Sequence, residues 1–145
     1  VLAGRAGVTP ARFWRRIGVI AACALAASAA SWLMFPRTFI YFGILHGIAV
    51  ASVLARPLVR RPRTALVIGC AVIAAGFGWS HPMFDAGPLS WIGFVTVKPA
   101  TEDYVPLAPW AGFVLLGIAL GHRLAGDAFR ALAPIAAARS PHAPA

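Results

Sequence analysis

The sequence predicts an all-α integral membrane protein, a bundle of four transmembrane helices with both termini in the cytoplasm. Three observations lead there. Of 145 residues, 60% are hydrophobic and only 12% are charged, with a mean hydropathy of +0.78; an ordinary soluble domain carries roughly twice that charged fraction. The apolar residues fall in blocks close to the ~20 residues of helix that cross a hydrocarbon layer of ~30 Å. Eleven of the thirteen Lys and Arg residues lie before the first block, between the second and third, or after the fourth, leaving only Arg37 and Lys98 on the other side. By the positive-inside rule the first set of segments is cytoplasmic, and an even number of spans agrees with that count.

The first span is expected from Ile17 to Phe35, ending at Pro36. Arg12, Arg15 and Arg16 followed by an apolar run and "AASAAS" imitate a secretory signal, but apolar character continues through "WLMF" and completes a span. The second runs from Phe39 to Val59, with Pro57 near its end, and the third is shorter, Thr64 to Ser80. The fourth runs from Leu107 to Leu124 and opens with Pro109 and Trp110. Residues 1–16 then form a cytoplasmic basic segment and residues 81–106 an external loop. Residues 127–145 form a cytoplasmic tail, partly disordered in its "AARSPHAPA" end.

Composition excludes several function classes. The net charge of +9 is dispersed in short clusters between apolar blocks, not gathered on one face, so nucleic acid is not the expected partner. Cys23 and Cys70 lie inside apolar blocks as small hydrophobes. No metal-ligand spacing, phosphate-binding glycine loop or nucleophile elbow occurs. Gly43 with Gly47, and Gly117 with Gly121, have the four-residue spacing that lets helices approach closely, within the bundle or between copies in a homo-oligomer.

The candidate chemistry is concentrated in two places. Three of the four acidic residues, Asp85, Glu102 and Asp103, fall in the external loop with Trp91, Phe94 and Tyr104. The loop is either a solvated, aromatic-anchored cap or a lid over a cavity, with Glu102 or Asp103 orienting or deprotonating a polar substrate. His46 lies seven residues into the second span. An ionisable ring at that depth is a proton or acyl station, or a polar clasp between helices. Of the other histidines, His81 marks the outer membrane edge, the His122–Arg123 pair suits the cytoplasmic end of the fourth helix, and His142 falls in the tail.

Two stretches, "FPRTFIYFGILHGIAVASVLARPL" and "LSWIGFVTVKPATEDYVPLAPWAGFVLLGIALG", together resemble the bacterial branch of the heparan-alpha-glucosaminide N-acetyltransferase catalytic-domain family, from about Phe13 to Gly126. The ordered string "TEDYVPLAPW" followed by "LLGIALG" is the more specific of the two. The resemblance implies a multi-pass protein of the bacterial inner membrane that carries an acetyl group from cytoplasmic acetyl-CoA to a sugar or envelope-glycan acceptor. Set beside that reading, the residues singled out above give His46, Glu102 and Asp103 as candidate catalytic residues, His46 matching a bacterial-type "GILH" position and not the family's proposed acetyl acceptor. Asp85, Tyr104, Trp110 and Arg37 are candidates for acceptor binding, and Arg56, Arg60, Arg61 and Arg63 for the phosphates of acetyl-CoA, with no metal. Family members carry an upstream basic segment containing Asp and Arg-Gly, together with the histidine proposed to accept the acetyl group. The chain starts at Val1 without these motifs and is expected to be the C-terminal part of a longer protein. The alternative is a non-enzymatic multi-pass protein, either a transporter-like bundle or an accessory subunit.

Overall fold

A computed structural model describes residues 9–138 by backbone and 9–126 with side chains. Four α-helices make up most of it: α1 (Pro10–Met34), α2 (Ile44–Ala55), α3 (Pro62–Gly78) and α4 (Leu107–Ala138), with no strand among the described residues. A 3₁₀ turn, Arg56–Leu58, extends α2, and two more, Pro82–Asp85 and Ser90–Ile92, lie in the segment before α4. The expected all-α class is therefore observed. Pro10–Met34 and Leu107–Gly126 are long and apolar enough to cross a membrane, whereas Ile44–Leu58 and Pro62–Gly78 are shorter apolar helices.

Each end differs from the sequence expectation for a local reason. α1 begins seven residues early because the Thr9 side chain accepts from the Arg12 N–H and Pro10 occupies the first helical turn. The second helix starts at Ile44 and not at Phe39. Residues 39–43 stay out of the helix because backbone groups there are already engaged: Ser28 donates to the Ile40 carbonyl (2.6 Å) and the Ile40 N–H donates to Ser31 Oγ (2.9 Å). α4 continues to Ala138, well past Leu124, so much of the expected tail is helical. The expectations for Arg5, Arg139 and His142 lie outside the described residues.

Packing is inverted relative to a water-soluble bundle. The buried apolar set is dominated by Ala24, Ala49, Ala51, Ala55, Ala65, Ala108 and Ala119, while Leu33 is 76% exposed and Phe77 73%. Small residues inside and large ones outside suit a hydrocarbon surround, where helices associate by close packing because lipid is as apolar as leucine. The closest approach joins α3 to α4. A Cβ on Gly112 would lie 2.7 Å from the Gly69 carbonyl and 2.6 Å from Ile73, and one on Gly76 would lie 2.9 Å from the Pro109 nitrogen. Gly43 and Gly47, one of the expected pairs, make room for Asp103 and Val105 of the segment before α4, and Gly117 has nothing within 4 Å.

Polar structure collects at the two ends of the bundle. At one end lie residues 35–43 and 79–106. At the other lie the start of α1, the α2–α3 turn and His122, whose Nε2 sits 2.5 Å from the Val59 carbonyl oxygen. His122 is thus a tie between α4 and that turn in mid-helix, not a helix C-terminus. Arg56 closes the same end, its guanidinium 4.6 Å above the Phe13 ring and 5.4 Å from Trp14.

Candidate functional site

The end of the bundle that holds residues 35–43 and 79–106 is organised by the segment Thr101–Val105, which lies along Thr38–Gly43. Glu102 N–H donates to the Thr38 carbonyl (2.8 Å), Thr101 Oγ1 donates to the Phe39 carbonyl (2.7 Å), and Val105 N–H donates to the Phe42 carbonyl (3.4 Å). Side chains reinforce this seam. Thr38 Oγ1 donates to Glu102 Oε1 at 2.7 Å, and Asp103 Oδ2 accepts from the Ile44 N–H at 2.7 Å. Asp103 therefore caps α2 from a residue 59 positions away, satisfying one of the donors that a helix start leaves open and placing a negative charge at its positive end.

His46 stands one turn into the same helix. Its Nδ1 accepts from the Gly43 N–H at 3.4 Å, and its ring lies 5.5 Å from that of Phe42. With Nδ1 accepting, the neutral ring carries its proton on Nε2. Phe42 in turn stacks 5.5 Å from Trp91. His46 and Asp103 thus hold the same helix start, and both are bound into structure.

The loop before this segment is folded on its own bonds. Asp85 accepts from the Thr96 hydroxyl, the Thr96 N–H (2.7 Å) and the Val97 N–H (3.3 Å). The Thr96 hydroxyl above all, with the two amides, holds its carboxyl below the usual carboxylate range. His81 accepts from the Met83 N–H at 3.2 Å and so caps the Pro82–Asp85 turn. Trp79, Phe84 and Phe94 form an aromatic knot with centroids 4.9 to 5.7 Å apart. Gly93, at φ 111°, turns the chain where a side chain would meet Pro106 and the Ala108 carbonyl.

A cavity of about 330 Å³ opens between these parts, lined on one side by Arg37, Phe39, Tyr41 and Phe42 and on the other by Pro88, Ser90, Pro99, Thr101 and Tyr104. Tyr104 donates to the Ser90 carbonyl (2.6 Å), and Ser90 Oγ donates to the Gly87 carbonyl (2.9 Å). Burial, with the Asp85 charge second, pushes the Tyr104 phenol up and keeps its proton in place. The hydroxyls of Ser90, Thr101 and Tyr104 all spend their protons on backbone carbonyls, so they present lone pairs to the cavity, and Arg37 supplies its charged donor.

Of the sequence candidates, the cavity brings together Arg37 and Tyr104. Glu102 and Asp103 lie in its back seam, Asp85 lies outside it, and Trp110 lies on the flank of α4 beside Ile44 and Val114. Sequence reasoning missed Thr101, Ser90 and Phe42. Thr101 was within reach, as the hydroxyl residue opening the "TED" string. Ser90 and Phe42 carry no signal of their own in a chain this apolar. Among the described residues no group of three His, Cys, Asp or Glu stands close enough to hold a metal ion.

The sequence model of the family described as "Heparan-alpha-glucosaminide N-acetyltransferase, catalytic" matches residues 1–144. The chain belongs to this family. Membership points to acyl transfer as its class of chemistry and to a membrane-associated protein, which the two long apolar helices suit. No match was found among the curated proteins or the solved structures. In this family setting, the exposed Arg60, Arg61 and Arg63 crown the α2–α3 turn at the end of the bundle opposite the cavity. Arg56 is half-buried against Phe13 and Trp14.

Proposed function

We propose that the chain forms the acceptor-binding part of a four-span membrane acyltransferase, N-in and C-in, that uses acetyl-CoA to acetylate a sugar or envelope glycan at the outer face of the bacterial inner membrane. The observation that carries this reading is the outer cavity. Aromatic and proline rings offer apolar faces to a sugar ring, Arg37 offers a fixed charge, and three oxygens with committed protons accept from sugar hydroxyl or amine groups. Family membership supports the chemistry. The arginines at the opposite end, Arg60, Arg61 and Arg63 with Arg56 behind them, supply the cationic surface for the phosphates of the acyl donor.

The reaction joins the acceptor nitrogen or oxygen to the acetyl carbonyl carbon and breaks the thioester bond, releasing the thiol of coenzyme A with the acceptor's proton. His46, behind Phe42, is the described ring closest in kind to a base for that proton. Its basic nitrogen is engaged at Gly43, so action as a base requires release of that bond.

The test is acetyl-CoA-dependent transfer to an amino-sugar acceptor in membranes carrying the full-length protein. Arg37→Ala is expected to raise KM for the acceptor about tenfold or more with little change in kcat, the loss of one charge-assisted hydrogen bond. His46→Ala is expected to abolish transfer while insertion persists. A solute moved across the membrane without consumption of acetyl-CoA would instead establish the transporter reading.

A further inference from the structure

We propose that the face of α1 bearing Arg12, Arg15 and Arg16 binds an anionic phospholipid of the cytoplasmic leaflet, the guanidinium groups holding its phosphate and the small residues below receiving an acyl chain. The three arginines with Val19 and Ile20 line a groove of about 460 Å³. At 3.6 residues per turn, Arg12, Arg15 and Arg16 share an arc of about 100°, and Val19, Cys23, Ala26 and Ala30 continue the same arc along the helix. All seven are exposed, Val19 by 58%. The result is a cationic head above a smooth apolar trough, the shape and polarity of a phospholipid.

Charge complementarity decides the occupant. The carboxylates with described side chains, Asp85, Glu102 and Asp103, are all at the outer end. From the groove arginines to the end of α1 at Met34 is 18 to 22 residues, about 27 to 33 Å, which is several Debye lengths in physiological salt. Three planar guanidinium forks, with no carboxylate partner among the described side chains, fit a phosphate bidentately. The flank towards α2 is held in place, because Phe13 packs under the Arg56 guanidinium at 4.6 Å. The arginine face therefore points away from the bundle, into the headgroup layer that a cytoplasmic start of α1 implies.

The test reconstitutes the full chain into nanodiscs of phosphatidylglycerol and phosphatidylcholine and reads retained lipid by native mass spectrometry. Wild type is expected to retain phosphatidylglycerol in preference to phosphatidylcholine. The triple variant Arg12→Gln, Arg15→Gln, Arg16→Gln is expected to lose that preference on the order of 100-fold, while Lys98→Gln at the other end keeps it. A fluorophore on Cys23, in a Cys70→Ala background, is expected to be quenched more by brominated phosphatidylglycerol than by brominated phosphatidylcholine, a reading that needs no arginine variant. Equal retention of both lipids, or a preference that survives the triple change, overturns the site. So does a Cys23 probe that neither lipid quenches, which would mean that a protein segment covers the face. Inorganic pyrophosphate that binds in pure phosphatidylcholine discs and displaces phosphatidylglycerol in mixed ones would assign the arginines to a soluble phosphate ligand instead.

Discussion

Asp103 shows how one side chain joins the loop to the bundle. Its carboxylate caps α2 through the Ile44 N–H and fills the space that a side chain on Gly43 would need. Asp103→Ala is expected to cost about 1 kcal/mol of stability as a lost cap, with Asp103→Asn costing less because an amide oxygen still accepts. Thermal unfolding in detergent measures both. Gly43→Ala is expected to cost more than Asp103→Asn, since its Cβ would collide with the carboxylate. Asp85 gives a pH dependence with a definite sign. Its folded value lies below the ordinary one, so its contribution is fully present above the ordinary Asp range of about 4 and is lost as pH falls through the lower, folded value. Proteolytic nicking of the loop between Pro82 and Val97 should therefore accelerate on acidification in wild type. In Asp85→Asn that acid response should be missing.

The α3–α4 contact carries the corresponding argument for an element. Gly69, Gly76 and Gly112 allow backbone contact there, whereas Gly117 faces open space. Gly112→Val is expected to destabilise the bundle by a few kcal/mol, in the range of overpacked cores. Gly117→Leu should leave unfolding unchanged, and if it alters oligomeric state on size exclusion, that face meets another copy or subunit. Helix existence was legible in the sequence because long apolar blocks punctuated by Pro36, Pro62 and Pro109 admit little else. Helix contacts were not. Glycine spacing within one helix records that a close approach is possible, but not whether a partner lies opposite, and Gly69 pairs with a glycine 43 positions away. The candidate site was legible in the same partial way. The concentration of acids and rings marked the outer loop, and Arg37 and Tyr104 were found. The seam that turns Glu102 and Asp103 into fastenings depends on backbone groups of residues 38–44, which no side-chain pattern reveals.

For the whole molecule two dispositions of α2 and α3 differ in cost: crossing the membrane, or dipping into it as a hairpin. α3 has 17 residues, or about 26 Å of helix, slightly short of a hydrocarbon core of ~30 Å, a mismatch that local thinning accommodates at modest cost. The contact of His122 with the Val59 carbonyl sets the depth of the α2–α3 turn. His122 lies fifteen residues below Leu107, about 22 Å along α4. A re-entrant hairpin would leave the exposed Arg60, Arg61 and Arg63 near that depth in hydrocarbon. The cost, at most about 2.5 to 3.5 kcal/mol for each at the bilayer centre and less towards the interface, still exceeds in sum that of a helix short by one turn. The turn is thus expected to reach the cytoplasmic headgroups, with the loop that holds Lys98 on the opposite side. In a background lacking Cys23 and Cys70, a membrane-impermeant maleimide added to intact cells should label Lys98→Cys. Arg60→Cys should react only after the cells are opened. Reaction of Arg60→Cys from outside would reduce the bundle to two crossing helices and remove the turn's arginines from the donor side of the proposed reaction.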